Sequence, residues 1–132
     1  MTVAPFRTVL VLDDEPLIRL MWLQIAEPLG VEVLPVATVE QARAVLAIAT
    51  VHCVVCDWHL GRTETSQGLV TDVLLTDVPL VVTSGDRLAL ERLGPSCPTL
   101  AKPFSLDEVE RVLLGTWKAG EPAPKRPRSR AT

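Results

Sequence analysis

The sequence has no apolar run that approaches the roughly 18 residues needed to span a lipid bilayer, so we expect a soluble protein. The first ten residues, MTVAPFRTVL, also lack a basic stretch followed by a long apolar segment, which argues against a secretory signal. A cytoplasmic location follows as the expectation. The length of 132 residues suits one domain with a sizeable core.

Cysteine is scarce as well, with 3 in the chain. Cys53 and Cys56 are spaced as CxxC, which elsewhere binds metal or carries out redox chemistry. They lie in a run that we predict to be a strand, where positions i and i+3 face opposite sides. Redox CxxC motifs begin helices instead. We therefore expect Cys53, Cys56 and Cys97 to be structural.

Charge is divided unevenly along the chain. Residues 1–117 carry 8 basic and 15 acidic side chains, a net charge of -7, whereas residues 118–132 carry 5 basic and 1 acidic, a net charge of +4. The second segment is rich in proline and has no large apolar residue, so we predict a disordered basic tail at 118–132 and an ordered domain over 1–117. A solubilising role for this tail is favoured over binding to nucleic acid.

Strand-like and helix-like segments alternate along the chain. The helix-like segments are 16–29, 38–49, 67–76, 87–93 and 105–118, and the strand-like runs are 7–13, 31–37, 51–57, 79–85 and 97–102. Three of these runs are continuously apolar, which is typical of parallel strands covered on both faces. The pattern predicts an α/β fold of the (βα)₅ type, a doubly wound five-stranded parallel sheet between two helical layers.

Three of the predicted helices carry a recognisable start or an apolar stripe. Thr38 with Gln41, and Ser105 with Glu108, fit capping boxes. The stripe predicted for the first helix is Ile18, Met21, Trp22, Ile25 and Leu29, and that of the last is Leu106, Val109, Val112, Leu113 and Trp117. Leu20 and Leu23 fall on the opposite side of the first helix, where a helical partner is one hypothesis and ordinary surface exposure another.

Charged and hydroxyl residues gather where the predicted strands end. The ends are Asp13-Asp14-Glu15 for the first strand, Asp57 for the third, Thr83-Ser84-Gly85 for the fourth and Lys102-Pro103 for the fifth. Ligands of open α/β sheets bind beyond the carboxyl ends of the strands. We therefore expect these groups at one edge of the sheet, with Asp57 where its strand meets solvent, free of the cost of burial.

Clustered carboxylates repel one another, by about 4 kcal/mol per pair at ~4 Å and an effective dielectric constant near ~20. Such a cluster persists only if a cation binds or a carboxylate takes a proton. Oxygen ligands favour a hard ion, so we predict Mg²⁺, with Mn²⁺ as an alternative, at Asp13, Asp14 and Asp57. Lys102 would help to neutralise a phosphoryl group in transfer, for which an aspartate can be the nucleophile.

Four motifs, LVLDDEP, CDWHLG, VVTSG and AKPF, occur in that order along the chain. Together they resemble the receiver domain of bacterial two-component response regulators, over residues 7 to about 117. The resemblance implies a CheY-like, flavodoxin-like fold. It also implies a single-domain response regulator of a phosphorelay, in which Mg²⁺-dependent transfer of a phosphoryl group from a phosphohistidine donor switches protein-protein interactions.

The resemblance assigns the acceptor and metal roles residue by residue. Asp57 would accept the phosphoryl group and bind the metal. Asp14 would ligate the metal directly and Asp13 mostly through water, with the backbone carbonyl of His59 as another ligand. The His59 side chain, two residues after the acceptor, would be a candidate modulator of the lifetime of the phosphorylated state.

The same resemblance assigns the switch. Lys102 would pair with the phosphoryl oxygens, and the Lys102-Pro103 peptide bond would be cis. Thr83 would move to hydrogen-bond the phosphoryl group and rearrange the face of the fourth helix, fifth strand and fifth helix. One departure is Thr99, where receivers usually carry an aromatic residue, so the coupling to that face is an open question. Gly61 stands where proline is common, which predicts a more mobile loop.

The partners implied are a histidine kinase or phosphotransfer protein and a downstream protein, with no membrane partner, and a phosphorylation-dependent homodimer is a further hypothesis. About 15 residues follow the last helix, too few for a DNA-binding domain. The protein would promote its own phosphorylation and dephosphorylation without acting as an enzyme on small molecules. One alternative is a degenerate receiver acting as a constitutive interaction module or phosphate sink. A second is an aspartyl phosphatase, although such enzymes typically carry a DxD motif where this chain has DWH. A third is a nucleic-acid binder that uses the basic tail.

Overall fold

Five strands form one parallel sheet in the computed structural model, which describes residues 7–117; the predicted tail at 118–132 lies outside the described residues. The strands of this sheet are β1 (Arg7–Leu12), β2 (Val31–Val36), β3 (Cys53–Asp57), β6 (Leu80–Ser84) and β7 (Thr99–Ala101). Their order is β2-β1-β3-β6-β7, and every neighbouring pair is parallel. The predicted five-stranded (βα)₅ sheet is therefore confirmed.

Five helices cover the two faces of this sheet. They are α1 (Pro16–Leu29), α2 (Val39–Ile48), α3 (Gln67–Leu74), α4 (Arg87–Leu93) and α5 (Leu106–Leu113). One apolar cluster contains buried residues of α1 and α5, and a second contains residues of α2, α3 and α4. The sheet is thus buried on both faces, which explains why β1, β3 and β6 read as continuous apolar runs.

The two cysteines of the CxxC spacing lie in different cores. Cys53 packs in the cluster under α1 and α5, and Cys56 packs in the cluster under α2, α3 and α4. Both are free thiols, and burial raises the pKa of Cys53 to about 11 and that of Cys56 to about 12. Neither thiol is ionised near neutral pH, so the prediction of structural cysteines is confirmed.

The predicted helix caps are present, one of them in altered form. Ser105 Oγ accepts from Glu108 N–H while the Glu108 carboxylate accepts from Ser105 N–H, which completes a capping box. Thr38 Oγ1 accepts from Gln41 N–H, but the Gln41 side chain accepts from Ala37 N–H instead of Thr38 N–H. The second bond of that box is therefore displaced by one residue.

A short antiparallel hairpin follows the acceptor strand and was not predicted. Its strands are β4 (His59–Leu60) and β5 (Glu64–Thr65), each of two residues, in the segment for which the sequence predicted a mobile loop. Runs of two residues carry no periodicity, which is why the pattern search could not find them. Among residues 7–117, no helix is both long and apolar enough to cross a membrane.

The end of the chain differs from the prediction at two points. α5 ends at Leu113, earlier than predicted, and Leu106 is 60% exposed, so its place in the buried stripe was wrong. Leu106 is the first residue of the helix. Trp117 follows the helix after Gly115, which has a positive φ of 81°, and it is nevertheless buried in the same core.

Two adjacent leucines near the end of α5 provide a test of this packing. Leu113 is fully buried and Leu114 is 51% exposed. We expect Leu113→Ala to lower the free energy of unfolding by about 2–5 kcal/mol, because it leaves a cavity in the core. Leu114→Ala, the matched control, should change it by about 0.5 kcal/mol or less. Urea denaturation measures both, and equal losses would contradict the packing of α5.

Candidate functional site

Strand periodicity places three of the predicted site residues on one face of the sheet. Apolar residues two positions earlier in their strands pack in the cluster under α1 and α5, namely Val11, Val55 and Val81. Side chains alternate along a strand, so Asp13, Asp57 and Thr83 face the same side. Asp57 and Thr83 are also register partners in the ladder between β3 and β6. Both are buried at the carboxyl end of the sheet.

The ammonium group of Lys102 joins the acidic residues at this end. Its Nζ donates to Asp57 Oδ2 at 3.1 Å, and it lies 2.9 Å from Asp13 Oδ2 and 2.9 Å from Glu15 Oε1. Lys102 follows β7 directly, and its own N–H donates to Ser84 O at 2.9 Å, which extends the sheet by one residue. The peptide bond between Lys102 and Pro103 is cis. The Lys102 side chain reaches across the strand ends to Asp57.

Burial changes the acid strength of Asp57, contrary to the sequence-based expectation. Asp57 is only 4% exposed, so the prediction that it escapes the cost of burial was wrong. Its pKa is raised to about 6: desolvation is the largest cause, the charges of Asp13 and Asp14 act in the same direction, and Lys102 partly opposes them. The carboxyl is therefore ionised near neutral pH but takes a proton in mildly acidic solution.

Asp13 and Lys102 are perturbed by the same surroundings. Desolvation raises the pKa of Asp13, against the lowering effect of the Glu15 N–H and of Lys102. Burial by itself lowers the pKa of Lys102, but hydrogen bonds to Glu15 and Asp13 and the charge of Asp57 outweigh it, so the pKa lies above its ordinary value. Lys102 is therefore a permanent cation within the acidic cluster.

The carboxylates are placed as a metal site requires. Oxygen atoms of Asp13, Asp14 and Asp57 lie within 4.8 Å of one another, and Asp14 is exposed while the other two are buried. With Glu15, four carboxylates face one ammonium, which leaves an excess of three negative charges when all are ionised. The cluster could hold a hard cation, because its ligands are all carboxylate oxygens and it is open to solvent at Asp14.

A cleft of about 370 Å³ opens above these residues. It is lined by Asp14, Glu15, Asp57, His59, Gly61, Ser84, Gly85 and Lys102. The His59 side chain is exposed at this cleft, and its Nε2 lies 3.2 Å from Asp86 Oδ2. Asp86 has a pKa below its ordinary value, chiefly because Ala89 N–H donates to its carboxylate and secondly because of the hydrogen bond with the His59 ring.

Gly61 contributes a contact that the usual proline could not make. Its N–H donates to Asp14 Oδ2 at 2.9 Å, and its φ of 72° lies in the left-handed region that glycine adopts readily. Proline has no N–H. The departure noted in the sequence therefore fixes the hairpin to an acidic residue of the site.

Three supporting residues escaped the sequence analysis. Ser66, buried at the start of α3, donates its hydroxyl to Asp57 O at 2.8 Å, and Arg19 donates to Asp13 O at 2.8 Å. Glu15 was part of the acidic run but had been given no partner, whereas it binds Lys102. No short motif marks Ser66 or Arg19, because their hydrogen bonds go to backbone carbonyls, which any residue type supplies.

Thr99 is separate from this cluster of charges. It lies in β7 and is half-buried, with Val82 as its register partner, while Leu100 is the partner of Thr83. Its carbonyl accepts a hydrogen bond of 3.1 Å from Trp117 Nε1. The described contacts thus connect Thr99 to the end of α5 rather than to the acidic residues.

The raised pKa of Asp57 predicts a particular dependence of stability on pH. The folded state holds a proton on Asp57 up to about pH 6, whereas the unfolded carboxyl loses it near 3.8, so stability falls as pH rises through this window. In chelator, Asp57→Asn should therefore be more stable than wild type at about pH 8, by up to about 3 kcal/mol, and the difference should shrink toward about pH 4.

Asp72→Asn is the matched control for this measurement, because Asp72 is exposed and pairs with Arg43 on the surface. It should change the free energy of unfolding by about 1 kcal/mol or less. A gain in Asp57→Asn that is the same at both pH values would show that Asp57 is not titrating in the folded protein.

Comparisons with known proteins agree with this architecture. The regulatory protein VirG of Agrobacterium tumefaciens is 36% identical over 111 residues, which cover 79% of this chain and 41% of VirG. The chain thus spans about two fifths of the length of this VirG protein. No protein-family model matches the chain.

Solved structures of receiver proteins share the fold. The chemotaxis response regulator CheY4 of Vibrio cholerae superposes with a TM-score of 0.73 at 21% identity, covering 85% of this chain and 99% of CheY4. A response regulator receiver protein from Sinorhizobium medicae superposes with a TM-score of 0.71 at 22% identity, covering 83% and 93%. With the sheet order and the similarity to VirG, these matches show that residues 7–117 have the CheY-like fold of response-regulator receiver domains.

Proposed function

We propose that this receiver domain accepts a phosphoryl group on Asp57 from a phosphohistidine donor and that the phosphorylated form changes its contacts with other proteins. The observation that carries the proposal is the position of the Asp57 carboxylate, 3.1 Å from the Lys102 ammonium and within 4.8 Å of oxygens of Asp13 and Asp14. A receiver fold supports two-component signalling, and the cleft gives a donor access to this carboxylate.

The proposed chemistry is a single displacement at phosphorus. An ionised oxygen of Asp57 attacks the phosphorus atom, a P–O bond forms, the P–N bond of the donor breaks, and its electron pair stays on the departing imidazole. Because the pKa of Asp57 is about 6, most molecules carry the reactive carboxylate near neutral pH. Lys102 contributes a fixed positive charge beside the incoming phosphoryl oxygens.

Asp13, Asp14 and Asp57 would hold Mg²⁺, with Mn²⁺ as an alternative, and the ion would offset the charge of the phosphoryl group. The His59 carbonyl remains a predicted further ligand. Without a cation, the excess negative charge at this end of the sheet would repel a phosphorylated donor. Hydrolysis of the acyl phosphate by water would return Asp57 and inorganic phosphate, so the domain would be a phosphoacceptor and not an enzyme acting on small molecules.

Thr83 is the proposed switch residue, because it is the register partner of Asp57 and lies with it at the carboxyl end of the sheet. The partners proposed are a histidine kinase or phosphotransfer protein and a downstream protein. A cytoplasmic location also remains a prediction.

A constitutive interaction module is the second candidate, and Thr99 is the observation that favours it. This position carries no aromatic ring in the chain, and the Thr99 carbonyl is engaged by Trp117. If the receiver were of this kind, its binding partner would recognise the unphosphorylated form, and modification of Asp57 would leave the affinity unchanged.

Labelling with a small phosphodonor tests the acceptor role of Asp57, which the first candidate requires. Wild type with Mg²⁺ should gain a phosphoryl group, and Asp57→Asn should gain none. Lys102→Ala should be labelled about a hundredfold more slowly, because the charge that stabilises the transferred group is gone. Arg92→Ala, a change to an exposed basic residue of α4, is the control and should be labelled at the wild-type rate. Equal labelling of wild type and Asp57→Asn would rule out Asp57 as acceptor.

Tryptophan emission offers a test of the metal site. Trp58 follows Asp57 and is partly exposed, whereas Trp22 and Trp117 are buried in the core. Titration with millimolar Mg²⁺ should change the emission of wild type but not that of Trp58→Phe, a variant that leaves both core tryptophans in place. Asp14→Asn should weaken the response. A change that persists in Trp58→Phe, or none in wild type, would contradict the assignment.

A further inference from the structure

A side-chain bridge joins two segments that line the acceptor cleft. His59 belongs to the hairpin that follows the acceptor, and Asp86 precedes the first turn of α4; their side chains meet with His59 Nε2 3.2 Å from Asp86 Oδ2. An ionised carboxylate only accepts hydrogen bonds, so Nε2 carries the hydrogen in this contact. The bridge links two chain segments that are 27 positions apart in the sequence.

Asp86 uses its two carboxylate oxygens for different partners. Oδ1 accepts from Leu88 N–H at 3.1 Å and from Ala89 N–H at 3.3 Å, which caps α4. Oδ2 faces His59. The backbone of Asp86 is itself held, because its N–H donates to Ser84 Oγ at 2.9 Å. The cap therefore does not require the contact with His59, and the two roles of Asp86 can be separated by mutation.

The location of the bridge relates it to Asp57. His59, Ser84 and Gly85 all line the cleft above the acceptor, and the bridge joins the segments on which they lie. The backbone holds the same two segments together lower down, where Trp58 N–H donates to Thr83 O at 2.9 Å. The contact with Asp86 thus holds the His59 ring beside the cleft that it lines.

We propose that Asp86 is a positioning residue for the acceptor site, which holds the His59 imidazole beside the cleft and so slows the approach of water to a phosphoryl group on Asp57. The inference rests on the proposed phosphorylation of Asp57. It assigns to Asp86 an effect on the lifetime of the acyl phosphate that passes through His59 and not through the cap of α4.

A double-mutant cycle on full-length protein tests this assignment. Asp86→Ser keeps an oxygen that can cap α4, since serine is a good N-cap residue, but it has no second oxygen for His59. His59→Ala removes the ring. Each variant should lose the phosphoryl label from Asp57 about two- to tenfold faster than wild type, and the double variant should lose it no faster than either single variant.

Two further measurements separate positioning from a merely structural effect. His59→Gln provides an N–H that can donate to Asp86, so it should restore much of the wild-type lifetime. Amide exchange at Leu88 and Ala89 should be alike in wild type and Asp86→Ser, which would show that the cap of α4 is retained.

The outcomes are distinguishable. Suppose that wild type takes the label. The role of Asp86 is overturned if the acyl phosphate lives as long in Asp86→Ser as in wild type, or if the effects of the two single variants multiply in the double variant. The proposed function would remain in place in either case. A wild type that takes no label from phosphodonor and Mg²⁺ would overturn the proposed function, and the inference with it.

Discussion

The ammonium group of Lys102 contacts acidic side chains from two separate strand ends, Asp13 and Glu15 after β1 and Asp57 at the end of β3. Without it, buried carboxylates would face one another with no opposing charge, at a cost of several kcal/mol. Its position depends on the last strand of the sheet, because Lys102 directly follows β7. The parallel sheet thus brings acid and base together from distant parts of the sequence.

This ion pair does not balance the charge of the site. One ammonium opposes four carboxylates, and burial together with the remaining negative charge raises the pKa of Asp57 to about 6. The same imbalance gives the site an affinity for a cation and makes its carboxylate cluster costly to maintain without one. In the proposed function, the excess charge is what makes phosphoryl transfer depend on a bound metal ion.

The sheet and the residues at its carboxyl end followed from the sequence, because continuous apolar runs and the motif after each run are local features. The burial of Asp57 did not, since it depends on the hairpin and helices that close around the strand end. Contacts such as Ser66 with the Asp57 carbonyl, or Asp86 with His59, join segments that no local pattern connects. Leu106 was misjudged because helical periodicity gives the direction of a side chain but not whether the sheet extends beneath it.

The central claim is that Asp57, and no other carboxylate of the cluster, carries the phosphoryl group. Reductive trapping tests it most directly: borohydride converts an acyl phosphate to the corresponding alcohol, and peptide mass spectrometry locates the changed residue. After treatment with phosphodonor and Mg²⁺, the account predicts homoserine at position 57 in wild type and at none of the other acidic positions. Homoserine at Asp13 or Asp14, or an unmodified position 57, would contradict it.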